Sequence, residues 1–252
     1  MSFALVSRYN LGMERAFRER SIGAVPLGDL PRIAVALTDA DVEAVGAAAV
    51  APADLVELRV DMFGSIAPEH LAAVFKTARA KFGKPLIATV RDTREGGQRE
   101  IHDRVSVYRG ILPLADAADV EINAADVLIR VKELCRSEGK QLIGSSHHFD
   151  ATPDEAALDA LVEKGRRQGV DIIKIAAMAQ GKEDMLRLLL FTLKHRDEGM
   201  ITMSMGEAGL PSRVLGFLFG SLLTYGYVTK PSAPGQLSIA ELADLLGRLR
   251  LR

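Results

Sequence analysis

The sequence predicts a single (β/α)8 barrel with an N-terminal extension, and three observations carry that prediction. Short apolar runs alternate with longer amphipathic ones eight times along the chain. The length, 252 residues, is one at which α/β barrels fold as one unit. No Pro/Ser-rich linker and no break in composition divides the sequence, so residues 1–252 read as one domain. Residues 1–30 stand outside the repeat. Their loosely amphipathic pattern, Phe3, Leu5, Val6, Leu11, Met13 and Phe17, suits a segment packed across the barrel floor.

The first strand is expected at 32–37, followed by a helix at 39–50 that begins on Asp39. A second strand at 55–60 leads to a helix at 68–81, with Pro68 in its first turn. Strands three and four fall at 86–90 and 118–122, and a helix at 124–138 follows the fourth. Strand five at 141–145 precedes a helix at 153–168 that starts on Pro153, and strand six at 172–176 precedes one at 182–195. Strand seven at 201–203 is followed by a helix from Ser212 to residue 223, and strand eight at 225–229 by a helix from Ser238 to residue 249.

Composition narrows the function. With 32 basic and 33 acidic side chains the formal net charge is −1, so no basic surface for nucleic acid is expected. The one cysteine, Cys135, excludes an intramolecular disulfide and every multi-cysteine metal motif, and suits a reducing cytoplasm. No run approaches the roughly 18 apolar residues of a membrane span. Arg8, Glu14, Arg15, Arg18, Glu19 and Arg20 occupy the region where an export signal needs an apolar stretch.

In such a barrel, chemistry belongs at the C-terminal ends of the strands, and the unusual polar residues fall there. Lys174 lies within the apolar run Ile172-Ile173-Lys174-Ile175-Ala176, on the sixth strand. Burial disfavours an ammonium and frees an amine that can attack a carbonyl. The alternative is a strand lysine paired with an interior carboxylate. Glu57, Arg59 and Asp61 share one face of the second strand by their spacing of two, as do Asp119 and Glu121 on the fourth. Arg91 closes the third strand ahead of Glu95-Gly96-Gly97, and His147-His148 follow the fifth. Ser212-Arg213 open the helix after the seventh, and Ser232-Ala233-Pro234-Gly235-Gln236 form a polar turn of the kind that serves as a lid.

These residues together resemble the type I 3-dehydroquinate dehydratases, the Schiff-base enzymes of the shikimate pathway. The similarity lies at Glu57-Leu58-Arg59-Val60-Asp61, Arg91 with Glu95-Gly96-Gly97, Ser145-Ser146-His147, Lys174, Met203-Ser204-Met205, Ser212-Arg213 and Ser232–Gln236. It runs from the first strand to the last helix, and the 27-residue step from His147 to Lys174 matches the family's spacing. The resemblance implies dehydration of 3-dehydroquinate, with Lys174 forming the imine, His147 acting as general acid and base, and Glu95 orienting the histidine. It also implies that Arg213 clamps the substrate carboxylate, that Glu57, Arg59, Arg91, Ser232 and Gln236 hold the ring hydroxyls, and that Met205 packs against the ring. The iminium replaces a metal, so no metal or cofactor is expected. The partners implied are the small-molecule substrate and a second copy in a homodimer, with no nucleic acid and no membrane.

His148 departs from the family, which usually has Asp or Asn there. Adjacent residues in extended chain point opposite ways, which argues against a two-histidine metal site. Asp119 and Glu121 read as a charge network near the lysine, and His70, His102 and His195 as surface residues. Two other readings stay open. One is a class I Schiff-base aldolase acting on a phosphorylated sugar, with Gly206 and Gly209 in a phosphate loop. The other is a non-catalytic relative that binds a cyclohexane carboxylate.

Overall fold

The structure, a computed structural model, describes residues 20–231 and 233–252. The expected amphipathic positions between Phe3 and Phe17 lie outside the described residues. Two short antiparallel strands, β1 (Arg20–Ile22) and β2 (Val25–Leu27), form a hairpin. The barrel strands are β3 (Arg32–Leu37), β4 (Leu55–Arg59), β5 (Leu86–Thr89), β6 (Ala117–Glu121), β7 (Gln141–His148), β8 (Ile172–Met178), β9 (Met200–Met205) and β10 (Leu223–Gly226). All eight are parallel, in the order β10-β3-β4-β5-β6-β7-β8-β9, and a bridge between Met200 and Ser221 brings the two edges together. The eight expected strands are all present, the eighth beginning earlier and ending sooner than expected, at 223–226 rather than 225–229.

The helices are α1 (Asp39–Ala44), α2 (Ala47–Val50), α3 (Pro68–Phe82), α4 (Arg104–Ile111), α5 (Ala125–Glu138), α6 (Glu155–Gln168), α7 (Lys182–Lys194), α8 (Leu210–Leu215) and α9 (Ile239–Arg248). Local chemistry sets several ends. Thr38 and Asp41 form a capping box at α1, and Ser238 and Glu241 form another at α9. Three expectations need correction. The helix expected at 39–50 is two helices, because the chain turns extended at Val45 and Gly46. The helix expected at 212–223 begins at Leu210, leaves α-helical geometry after Leu215, and ends as a tighter turn at Phe219, with Gly220 at φ 103°. Helix α4 was not foreseen: its Val, Ser, Tyr and Gly residues are poor helix formers, and burial of Val105, Tyr108 and Ile111 overrides their preference.

The pleat sorts inward-facing side chains into layers. The floor is apolar, with Leu55, Ile87, Ala117, Ile143, Ile172, Ile201 and Leu223, and the hairpin closes it from below with fully buried Ile22 and with Leu27. Burying such a side chain stabilises the fold by about 1.5–3 kcal/mol. Two residues further along the strands the layer turns polar: Glu57, Thr89, Asp119, Ser145 and Lys174. Another step brings Arg59, Arg91, Glu121 and His147. A second core fills the space between sheet and helices, including Phe75, Tyr108 and Leu128. Tyr108 pins α4 to the sheet below the site, its hydroxyl donating to Asp119 O at 2.5 Å and accepting from Val90 N at 3.0 Å.

Candidate active site

A cavity of about 210 Å³ opens above the polar layer. Its walls include Glu57, Arg59, Arg91, Glu95, His147, Lys174, Met205, Arg213 and Gln236. Every expected site residue is therefore brought to one cavity except Ser232, which lies outside the described residues. A wider groove of about 600 Å³ runs outside Arg91, past Arg94, Arg99 and His102. It touches neither Lys174 nor His147, so the smaller cavity is where chemistry can occur.

Lys174 is 4% exposed. Its Nζ donates to Asp119 Oδ2 at 2.8 Å, lies 3.7 Å from Glu57 Oε2, and sits 4.3 Å from the centre of the Tyr225 ring. The interior carboxylate and the cavity position thus occur together, and the two readings of the strand lysine are not exclusive. Burial acts to raise the Asp119 pKa, but Arg91 and Lys174 outweigh it and hold the carboxyl well below the usual range. Glu57 Oε1 is held by the Thr89 hydroxyl at 2.6 Å.

Arg91 is a strut within this layer. Nη1 donates to Glu121 and to Ser145 Oγ, both at 2.7 Å, and Nη2 to Asp119 at 2.8 Å. Glu121 is paired in turn with Arg104, which also reaches Asp92. Alternating charges thus run from Lys174 outward, and each buried charge of this series has a partner. Arg59 is forked onto Asp61 at 2.9 and 2.8 Å at the cavity rim.

Glu95 and His147 meet across 52 residues of sequence. Glu95 Oε2 accepts the His147 backbone N–H at 2.9 Å and faces the ring Nδ1 at 3.0 Å. The turn that places Glu95 requires Gly97, where a Cβ would lie 2.3 Å from Arg91 O. Phe149 stacks on the His147 ring at 6.4 Å. Burial, then the nearby Glu121, raises Glu95 to about 7, while burial, then Arg91 and Lys174, holds His147 well below its ordinary value. The imidazole is therefore neutral, and Glu95 decides which nitrogen carries its proton. Ionised, Glu95 takes Nδ1–H and leaves Nε2 as a base; protonated, it donates to Nδ1 and moves the ring proton to Nε2. The log of kcat/KM should accordingly rise with pH through about 7. Glu95→Gln should abolish that limb, and a pH profile of the two proteins checks it; an unchanged limb in the variant assigns the ionisation elsewhere.

Arg213 is 2% exposed and makes no ion pair among the described residues. Nη2 donates to Pro234 O at 3.1 Å and Nη1 to Tyr225 O at 3.5 Å, while Nε has no partner. Burial without a carboxylate lowers its pKa to about 10. It lies inside the six-residue α8 rather than at a helix start, so anion affinity rests on the guanidinium. Pro234 O also accepts Gly206 N at 3.2 Å, and Gly235, at φ 70°, packs where a Cβ would meet Gly206 O at 2.4 Å.

Thr89, Phe149 and Tyr225 went unannounced, and Ser145 and Met203 entered only through the resemblance, although Thr89 and Ser145 lie two residues before Arg91 and His147 and share their faces. The His148 ring turns away from His147, to Ser146 Oγ at 3.0 Å. Of the other histidines, His102 is exposed and His70 partly so. His195 corrects the surface reading: it is 9% exposed, tilted against Phe191, and flanked by Asp159 and Glu198.

Comparison with known proteins identifies a family. Residues 33–251 match the family model of type I 3-dehydroquinase. The 3-dehydroquinate dehydratase of Thermodesulfovibrio yellowstonii is 40% identical over 90% of this chain and 99% of its own. That of Hydrogenobaculum sp. is 35% identical over 88% of this chain and 100% of its own. Among solved structures, type I 3-dehydroquinate dehydratase from Clostridium difficile with covalently modified comenic acid superposes with a TM-score of 0.84 at 30% identity, covering 92% of this chain and 97% of that one.

Proposed function

This chain belongs to the type I 3-dehydroquinase family and dehydrates 3-dehydroquinate to 3-dehydroshikimate, and on that premise we propose that it works through an imine on Lys174. The observation that carries the reading is a buried lysine opening on the same cavity as a carboxylate-oriented histidine. Nζ bonds to the ketone carbon, the carbonyl oxygen leaves as water, and the iminium withdraws electrons from the neighbouring C–H bond. His147 moves protons through Nε2: it delivers one to the carbinolamine hydroxyl as that leaves as water, then accepts one from the α-carbon and delivers it to the departing β-hydroxyl. Glu95 holds the ring through Nδ1 and stabilises its protonated form. Asp119 stays beside the nitrogen, balancing its charge throughout.

Arg213 holds the substrate carboxylate, because it is a buried cation with an unused N–H and no acidic partner among the described residues. Glu57, Arg59, Arg91 and Gln236, with Ser232, surround the ring hydroxyls, and Met205 packs against its apolar face. A phosphorylated-sugar aldolase fits less well. The Gly206 N–H is already given to Pro234, and Gly209 N to Gly206 O at 3.2 Å, so the turn offers no open nest. The same reading takes the enzyme as a cytoplasmic homodimer. The lone thiol suits a reducing compartment, and the exposed Leu186, Leu190 and Leu193 of α7 form an apolar stripe that a second copy would cover.

Appearance of the conjugated enone of 3-dehydroshikimate, followed by ultraviolet absorbance, tests the reading with parent and variant. Arg213→Ala should raise KM for 3-dehydroquinate roughly 30-fold to several thousandfold, the loss of about 2–5 kcal/mol when a buried charge partner is removed. Normal KM in that variant places the carboxylate elsewhere.

A further inference from the structure

We infer that Tyr225 is a positioning residue for the covalent step: its ring holds the cationic nitrogen of Lys174, and its hydroxyl takes over Glu57 once that nitrogen is bonded to substrate. The inference rests on the imine reading and extends it to a residue that the sequence did not single out.

Tyr225 stands on β10, one inward step above the floor residue Leu223, and is 3% exposed. The Lys174 nitrogen lies 4.3 Å from the centre of its ring, inside the range of a cation–π contact. Its hydroxyl is buried beside the Glu57 carboxylate, near enough to interact with it but outside the geometry of a formed hydrogen bond. A buried hydroxyl left without a partner is uncommon and asks for a reason.

Counting hydrogens on the lysine nitrogen supplies one. An ammonium carries three N–H donors: it donates to Asp119 at 2.8 Å and keeps others that can turn toward Glu57, 3.7 Å away. When the amine bonds to the ketone carbon and the oxygen departs as water, the iminium nitrogen keeps a single hydrogen. That hydrogen belongs to Asp119, the nearer acceptor. Glu57 Oε2, 3.7 Å from that nitrogen, then has no N–H left that could turn to it, while Oε1 keeps Thr89. The phenol beside it has the missing donor. Burial, followed by the neighbouring Glu57 and Asp119, pushes the phenol well above its ordinary pKa, so it remains protonated. Meanwhile the ring face stays against a nitrogen that is cationic both as ammonium and as iminium, and so favours the intermediate.

Two variants separate the parts. Tyr225→Phe keeps the ring and removes the donor; Tyr225→Leu removes both. With 3-dehydroquinate as substrate, Tyr225→Phe should lose roughly tenfold or more in kcat with KM within about twofold of the parent, the cost of an unsatisfied buried acceptor formed only after binding. Borohydride labelling of the variant during turnover should slow in parallel, with the thermal midpoint unchanged. Tyr225→Leu should slow labelling further, by roughly another fewfold to tenfold. Parental kcat in Tyr225→Phe overturns the hydroxyl assignment, and a change confined to KM would mean that the hydroxyl binds substrate instead. Equal losses in both variants with a lowered thermal midpoint overturn it in favour of packing alone. If the parent itself takes no label, the imine reading falls first; a labelled parent with an indifferent Tyr225→Phe refutes only the inference about Tyr225.

Discussion

Lys174→Arg should abolish turnover, lowering kcat by on the order of 10⁴-fold or more, while leaving a folded protein. The guanidinium keeps a positive partner for Asp119 and a cation against the Tyr225 face, the two contacts that define the lysine's surroundings. What it cannot do is bond to the ketone carbon and form this iminium. Charge and nucleophilicity are thereby separated. A thermal scan should show one cooperative transition close to that of the parent, and the ultraviolet assay should show no enone. Residual activity above about one per cent of the parent would mean that the nitrogen acts through its charge alone.

His147→Ala should cost roughly 10²–10⁴-fold in kcat, the usual contribution of a positioned acid–base group. The ring has its nitrogens committed in different directions, Nδ1 to Glu95 and Nε2 to the chemistry. Its removal should slow both formation and hydrolysis of the imine, so that covalent species accumulate or appear late in rapid-quench mass spectra. His148→Asp should retain most activity, because that ring turns to Ser146 on the other face of β7. Equal losses in the two variants would dissolve the distinction between the histidines.

The strands were legible because a strand covered on both faces in a parallel barrel is a near-continuous apolar run, and β3 matches its expected bounds, 32–37. Helix ends were less so. Gly46 and Gly220 break helices whose hydrophobic period carries on across them, and α4 forms from residues whose own preference is not helical. In the site, spacing of two correctly put Glu57 with Arg59 and Asp119 with Glu121 on inward faces. Spacing could not say that Asp119 would choose Lys174, or that Arg91 would use its guanidinium on Asp119, Glu121 and Ser145. Those choices depend on how far neighbouring strands are staggered, which the registers fix and composition does not. The approach of Glu95 to His147 was foreseen only through the family resemblance. His195 was misjudged because a helix end looks exposed until Asp159 and Glu198 are folded against it.

Borohydride trapping bears most directly on the lysine imine. Added during turnover of 3-dehydroquinate, borohydride should reduce the iminium to a stable secondary amine and inactivate the enzyme, and peptide mapping should place the added mass on Lys174 alone. A label on Lys84 or Lys230, or full activity with no label after reduction, would contradict it.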